Sequence, residues 1–234
     1  EEKGKSRMGL LYVGFALIAP HIVREFHMGN VNLLLLFLFC AGLYSLQKKK
    51  EINVAVFWSI MIVLKPIVIL AFIPLVFYKK WKIIFTMGGI GLIFLIIPVI
   101  GSGFQGSMEL WQGWLEAVIV HGQYIISENS LTYLLERFTG IQSAWGASIF
   151  FLLLLIGFLL WNKMKTSSIS LIVWVVVFFA FCPNFFVTDT EHFLLSLPLI
   201  MMLIKRLIEV NKWGYWIVFA CFVIFFSLNI NDLL

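Results

Sequence analysis

One lysine interrupts an otherwise apolar stretch of the sequence. Lys65 and the following Pro66 lie inside the run 52–78, whose other members are mostly aliphatic or aromatic. An ammonium group inside an apolar membrane segment is costly unless it reaches water or a partner, so Lys65 is a functional candidate for binding an anion. The alternative is a lysine that extends to the membrane surface and only stabilises a break in the helix.

A second cation follows a predicted helix start. Asn129 or Ser130 is expected to cap a short helix at about 131–138, which places Arg137 and Ser130 on the same helix face. The free N–H groups of a first helical turn and an arginine guanidinium both favour phosphate. These residues are therefore phosphate-binding candidates. The plainer interpretation is a capped helix at the membrane interface whose arginine contacts a lipid headgroup.

A polar segment near residue 190 contains a histidine. Thr188 and Glu191 have the spacing of a capping box, which is typical of a helix start. His192 can donate a hydrogen bond to phosphate or transfer a proton, so it is both a binding and a catalytic candidate. Asp189, Glu191 and His192 lack a further ligand at a known spacing, and we predict no metal site.

Residues 27–32 form a predicted turn between two apolar runs. Gly29 suits a tight turn, and Asn30 or Asn32 is expected to cap the helix that follows. The alternative is that these polar groups, Asn30 among them, face a substrate.

Helices in a membrane must position these residues. The chain is 62% hydrophobic and 12% charged, whereas soluble domains are about 45–50% apolar and about 25% charged. No β-barrel alternation is present, so the predicted fold is all-α, a polytopic bundle forming a single domain over 1–234. The apolar runs are 8–22, 31–47, 52–64, 66–78, 83–100, 143–161, 168–186, 193–204 and 214–229.

Basic residues set the predicted orientation. Most of them form clusters between the runs: Lys3, Lys5, Arg7, Lys48, Lys49, Lys50, Lys79, Lys80, Lys82, Lys163, Lys165, Lys205, Arg206 and Lys212. Such clusters mark cytoplasmic loops and exclude a nucleic-acid interface. One span over 52–77 would put the clusters at 48–50 and 79–82 on opposite sides of the membrane. A proline break at Pro66 avoids this by making a re-entrant hairpin of two half-length helices, with Lys65 near its outer tip.

The remaining candidates fall on the outer side. The external segments would be 23–30, 101–142, 187–192 and 230–234, and all four histidines lie at or beyond the outer boundary: His21, His27, His121 and His192. The loop 101–142 carries apolar residues at helical spacing: Leu110, Trp111, Trp114, Leu115 and Val118. This spacing predicts an amphipathic helix lying in the outer interface.

Four short motifs, in order, resemble those of glycosyltransferase family 87. They are Gly29-Asn30-Val31-Asn32, Lys65-Pro66 before the basic Tyr78-Lys79-Lys80-Trp81, Asn129-Ser130-Leu131 with Arg137, and Glu191-His192. The resemblance covers about 15–205. Asn30 departs from the pattern, because the family more often has Gln at that place.

The resemblance implies a membrane glycosyltransferase of the GT-C type, in the plasma membrane of a prokaryote. Such enzymes transfer a sugar, with inversion, from a polyprenyl-phosphate carrier to a lipid-linked or polysaccharide acceptor on the extracytoplasmic side. Mannose or another hexose or pentose is the expected sugar, and no cofactor is expected. The residues then expected to contact the substrate or its phosphate are Lys65, Asn129, Ser130, Arg137, His192 and Asn30.

Two further expectations complete this interpretation. The family's general base is an acidic residue of a first external loop that precedes Glu1, so we expect a fragment that is inactive alone. Two other classes stay open: a transporter, which also uses broken helices, and a lipid-linked oligosaccharide polymerase or ligase.

Overall fold

The computed structural model describes Gly9, Tyr12, Ala19 and residues 22–27, 29–124, 137–138, 140, 144–165, 169–182, 194–210, 212–217 and 219. Over these residues the secondary structure is helical without strands, which confirms the all-α prediction. The main elements are α1 (Asn32–Gln47), α2 (Glu51–Leu64), a 3-10 helix (Pro66–Phe72), α3 (Ile73–Phe77), α4 (Trp81–Tyr124), α5 (Ala144–Met164), α6 (Leu171–Phe181) and α7 (Leu197–Val210).

The helix break predicted at Lys65 is confirmed. α2 ends at Leu64, and Lys65 has an extended backbone with φ −147° and ψ 93°. The rings of Trp58 and Phe72, one on each side of the break, stack with their centroids 4.6 Å apart, so the chain folds back on itself. The returning half was expected to be an α-helix, but its first seven residues form the 3-10 helix. Prolines 66 and 74 bracket this stretch, and neither supplies an N–H to an α-helical ladder.

The hairpin brings two lysine clusters to one end of the molecule. Glu51 lies 3.9 Å from the Nζ of Lys80 and 3.7 Å from the Nζ of Lys82. We call this the basic end. The clusters at 48–50 and 79–82 therefore lie at one end of the molecule, and their common side of the membrane stays a prediction. Lys65 lies at the opposite end of α2, which at 1.5 Å per residue is about 20 Å away.

A third basic cluster lies at the same end. Lys163, near the end of α5, donates a hydrogen bond to the carbonyl of Phe77, and its Nζ lies 5.1 Å from the centre of the Tyr78 ring.

The α1–α2 and α3–α4 turns both place a lysine in the left-handed region, Lys49 with φ 57° and Lys79 with φ 55°. Glycine is the usual residue in this conformation at a helix end. Both turns therefore carry a charge where the backbone favours glycine.

Aromatic side chains join α1, α2, the 3-10 helix and α6. Phe39 and Phe179 stack with ring centroids 3.7 Å apart, and both are fully buried. The fully buried Trp58 donates its indole N–H to the carbonyl of Phe39 at 3.5 Å. Trp58 fits here because α1 has a glycine, Gly42, beneath its indole, where a Cβ would overlap the ring. This core fixes the hairpin against α1.

α4 is the membrane-length element of the described chain. By length and composition, its segment Trp81–Ala117 is the one described helix long and apolar enough to cross a membrane. Shorter apolar helices accompany it: Asn32–Gln47, Glu51–Leu64, Pro66–Phe77, Ile149–Met164 and Leu171–Phe181. Side chains such as Leu92, Ile96 and Ile100 are exposed, as expected of a surface that meets lipid. Crossing of the membrane by the shorter helices stays a prediction.

The long helix bends at a glycine where the sequence predicts its exit from the membrane. Gly103 has φ 70° and ψ 176°, so two helices meet there. From Trp81 to Gly103 the helix rises about 33 Å at 1.5 Å per residue, close to the thickness of the bilayer hydrocarbon. The second helix carries the predicted amphipathic stretch, and its Leu110 and Trp114 are exposed. Its helical conformation is confirmed, and its place in the interface stays a prediction.

We expect Gly42→Ala to destabilise the protein, because the added methyl overlaps Trp58. Overpacking costs about 1–3 kcal/mol, which should lower the melting temperature in detergent by several degrees. Gly88→Ala is the matched control, since a Cβ at Gly88 in α4 meets no atom within 4 Å. Equal melting temperatures for the two variants would contradict this packing.

Candidate functional site

Three polar side chains meet where α2 breaks. The ammonium of Lys65 donates to Oδ1 of Asn32 at 3.2 Å. The Nδ2 of Asn32 donates to Oε2 of Glu25 at 3.0 Å. Glu25 and Asn32 are each 1% exposed and Lys65 is half-buried. An amide thus links a cation and a carboxylate, and we call these three residues the Lys65 cluster.

Each partner fixes the orientation of the Asn32 amide. A lysine ammonium only donates hydrogen bonds, so it must face the amide oxygen. The carboxylate of Glu25 accepts from the amide nitrogen and, through Oε1, from the backbone N–H of Leu33 at 3.1 Å. Both carboxylate oxygens therefore act as acceptors. The cluster is therefore satisfied inside the protein.

Glu25 also caps α1, which corrects the sequence prediction. Neither Asn30 nor Asn32 caps this helix: its N-cap residue is Val31, without a side-chain cap, and Asn32 is already in the first turn. The bond from the N–H of Leu33 to Glu25 satisfies one of the free donors of that turn. The carboxylate wins because it is negative and lies at the positive end of the helix dipole.

The turn before α1 carries Glu25 into this position. The predicted loop at 23–30 is partly helical, since residues 22–27 form a helical segment. Gly29 then adopts φ 67°, as expected of a tight turn, and the N–H of Asn30 donates to the carbonyl of Glu25 at 3.2 Å. The chain reverses within a few residues. The carboxylate of Glu25 therefore reaches the start of the next helix.

Some of the other predicted site residues are described by the structure, and others are not. Asn30 is exposed, and it is Asn32 that lies against Lys65. Arg137 has a helical backbone, and its side chain is exposed. Asn129, Ser130 and His192 lie outside the described residues, so their participation stays a prediction. Among the histidines, His27 is exposed, whereas His21 lies outside the described residues.

The cluster is suited to hold an anion at membrane depth. An ammonium inside an apolar bundle requires hydrogen bonds and compensating charge, and Asn32 and Glu25 provide both on one side of Lys65. Lysine binds phosphate as a compact point charge with three donors. Lys65 is bonded to Asn32, so part of its hydrogen-bonding capacity is used inside the protein.

The sequence prediction missed Glu25. The residue stands beside Arg24 at the end of an apolar run, where it reads as part of an external loop. Its signal is a carboxylate seven residues before Asn32 with Gly29 between them, a spacing that lets a reversing turn return the carboxylate to the next helix. The burial of Glu25 and its hydrogen bonds to Asn32 and Leu33 show that the turn is closed in this way.

Comparison with known protein families identifies the chain's family. The family model of glycosyltransferase family 87 matches residues 3–187, well over half of the chain. No match was found among curated proteins or among solved structures. Asn32, Glu25 and Lys65 all lie within the matched range.

We expect Asn32→Ala to destabilise the protein, because it removes the amide that joins Lys65 to Glu25 and leaves each of them with one hydrogen bond fewer. Such losses cost about 1–3 kcal/mol each, so the melting temperature in detergent should fall by several degrees. The control is Asn30→Ala, which removes an exposed side chain of the same type two residues away. If both variants melt with the wild type, the amide link is not a stabilising contact.

Proposed function

The chain belongs to glycosyltransferase family 87, and from that premise we propose that it transfers a sugar from a polyprenyl-phosphate carrier to a lipid-linked or polysaccharide acceptor. The family makes the chain a membrane glycosyltransferase, which favours this class over a transporter. The proposed reaction inverts the anomeric centre. The proposed sugar is mannose or another hexose or pentose.

The Lys65 cluster is the observation that carries this proposal. When the bond between the sugar and the polyprenyl phosphate breaks, negative charge develops on the phosphate at the membrane surface. A preorganised cation stabilises this charge in the transition state. Lys65 is half-buried at a helix break and held by Asn32 at 3.2 Å. Its ammonium binds the phosphate oxygen that takes up the electron pair of the broken bond.

Other residues complete the proposed donor site from outside the cluster. Arg137, with the helix start at Asn129 and Ser130, contacts the phosphate, and His192 donates to it or transfers a proton. Asn30 faces the sugar or the acceptor. Glu25 is not proposed as the general base that takes the acceptor's hydroxyl proton, because both its oxygens already accept protein N–H groups and it is 1% exposed.

The position of the cluster supports an extracytoplasmic reaction. The basic end holds lysines of three clusters, and lysine clusters favour the cytoplasmic side. Lys65 lies at the other end of α2, and the proposed donor therefore binds at the outer leaflet. The helix that follows Gly103 then lies along the same face and covers the lipid-linked substrate.

We expect Lys65→Ala to reduce sugar transfer by about 100- to 1000-fold, the usual loss when one donor to a developing anion is removed. The protein, expressed from its complete gene and reconstituted in liposomes, is supplied with polyprenyl-phosphate sugars, and glycolipid product is measured. Lys65→Arg should retain part of the activity, because the charge stays while the shape changes.

Two further variants sharpen this experiment. Lys50→Ala, at the basic end, is the control and should transfer sugar at the wild-type rate. His192→Ala should lose about 10- to 100-fold, the cost of one hydrogen bond to a charged group. Wild-type turnover in both Lys65→Ala and His192→Ala would overturn the site assignment, and solute transport without glycosyl transfer would overturn the proposed class.

A further inference from the structure

Glu25 is a buried charge that the proposed chemistry does not use. It is 1% exposed and lies on the far side of Asn32 from Lys65. Capping of α1 explains one of its two carboxylate bonds, the one to the N–H of Leu33. A neutral side chain such as Gln can also accept that bond. The charge balances the ammonium of Lys65, and it also acts on any anion that this ammonium binds.

We propose that Glu25 is a specificity-determining residue that limits how tightly Lys65 holds an anion, and so favours release of the phosphate product. This inference rests on the proposed function, since it concerns the charge of the donor and of the product at that site. Glu25 acts from behind Asn32 and does not contact the ligand.

The charge of the lipid phosphate changes during the proposed reaction. The donor is a phosphodiester with one negative charge. The bond between the anomeric carbon and the phosphate oxygen breaks, its electron pair stays on the phosphate, and the acceptor oxygen bonds the same carbon and loses its proton to a base. The product is a phosphomonoester, which carries about −1.5 to −2 at pH 7. A site that only attracted anions would hold the product more tightly than the donor.

The Lys65 cluster opposes that tendency. The carboxylate and the ammonium are separated only by the Asn32 amide, with hydrogen bonds of 3.0 and 3.2 Å on its two sides. A phosphate bound to Lys65 therefore lies within reach of the field of Glu25 in a water-poor region, where charges are weakly screened. Coulomb repulsion grows in proportion to the charge of the ligand. Glu25 thus weakens binding of the dianionic product more than binding of the monoanionic donor.

Two matched probes test this inference. Farnesyl phosphate is a monoester, and its methyl ester is a diester that differs in carrying one charge less. Their dissociation constants are measured at pH 8 by calorimetry on the protein in nanodiscs. For Glu25→Gln, we expect affinity for the diester to rise about threefold and affinity for the monoester about tenfold, since doubling the charge squares the fold-change.

Control variants separate this effect from loss of structure. Glu25→Asp keeps the charge and should keep the wild-type ratio of the two affinities. Glu51→Gln removes a carboxylate from the basic end and should change neither affinity. Misfolding lowers affinity and cannot produce the expected increase. Equal changes for the two probes, or no change, in Glu25→Gln would overturn the inference.

The wild type provides a measurement that does not depend on the variant folding. With Glu25 present, the monoester should bind no more than about threefold more tightly than the diester, whereas a purely cationic site should prefer the dianion about tenfold. A tenfold preference for the monoester in the wild type would also overturn the inference. Lys65→Ala tests the underlying site: if it binds both probes as the wild type does, the proposed phosphate site is wrong, whatever Glu25 does.

Discussion

The need to satisfy one ammonium inside an apolar bundle shapes this protein. Lys65 lies at the break between α2 and the 3-10 helix, and Asn32 and Glu25 supply a hydrogen bond and an opposite charge. Removing either partner takes a hydrogen bond or the compensating charge away from a buried polar group, and such a loss is costly. The start of α1, the turn at Gly29 and the hairpin at Pro66 all have to meet at this point.

The rest of the fold holds the hairpin in place. Trp58 and Phe72 stack across it, and Phe39 joins it to α1 and α6. At its other end Glu51 draws two lysines together. One end of the bundle is therefore rich in exposed cations, while the other presents a lysine with internal partners. This asymmetry underlies the proposal that chemistry occurs at the end away from the lysine turns.

The sequence predicted the helices and the break because their causes are local. A proline inside an apolar run and lysines on both sides of it require a reversal, and the structure has one at Lys65. The capping of α1 was predicted wrongly. Asn30 and Asn32 are residue types that often cap helices, but the group that caps α1 is the carboxylate of Glu25, which comes from an earlier segment. Tertiary contacts of this kind cannot be derived from residue spacing. For the same reason the link between Asn32 and Lys65 became visible only in three dimensions.

Locating the lipid phosphate in the protein tests the central claim most directly. A cryo-EM structure of the protein in nanodiscs with a bound polyprenyl phosphate should place the phosphate about 3 Å from the Nζ of Lys65, at the end of α2 away from Glu51. A phosphate bound instead among the lysines of the basic end, with Lys65 contacting only protein, would contradict the account.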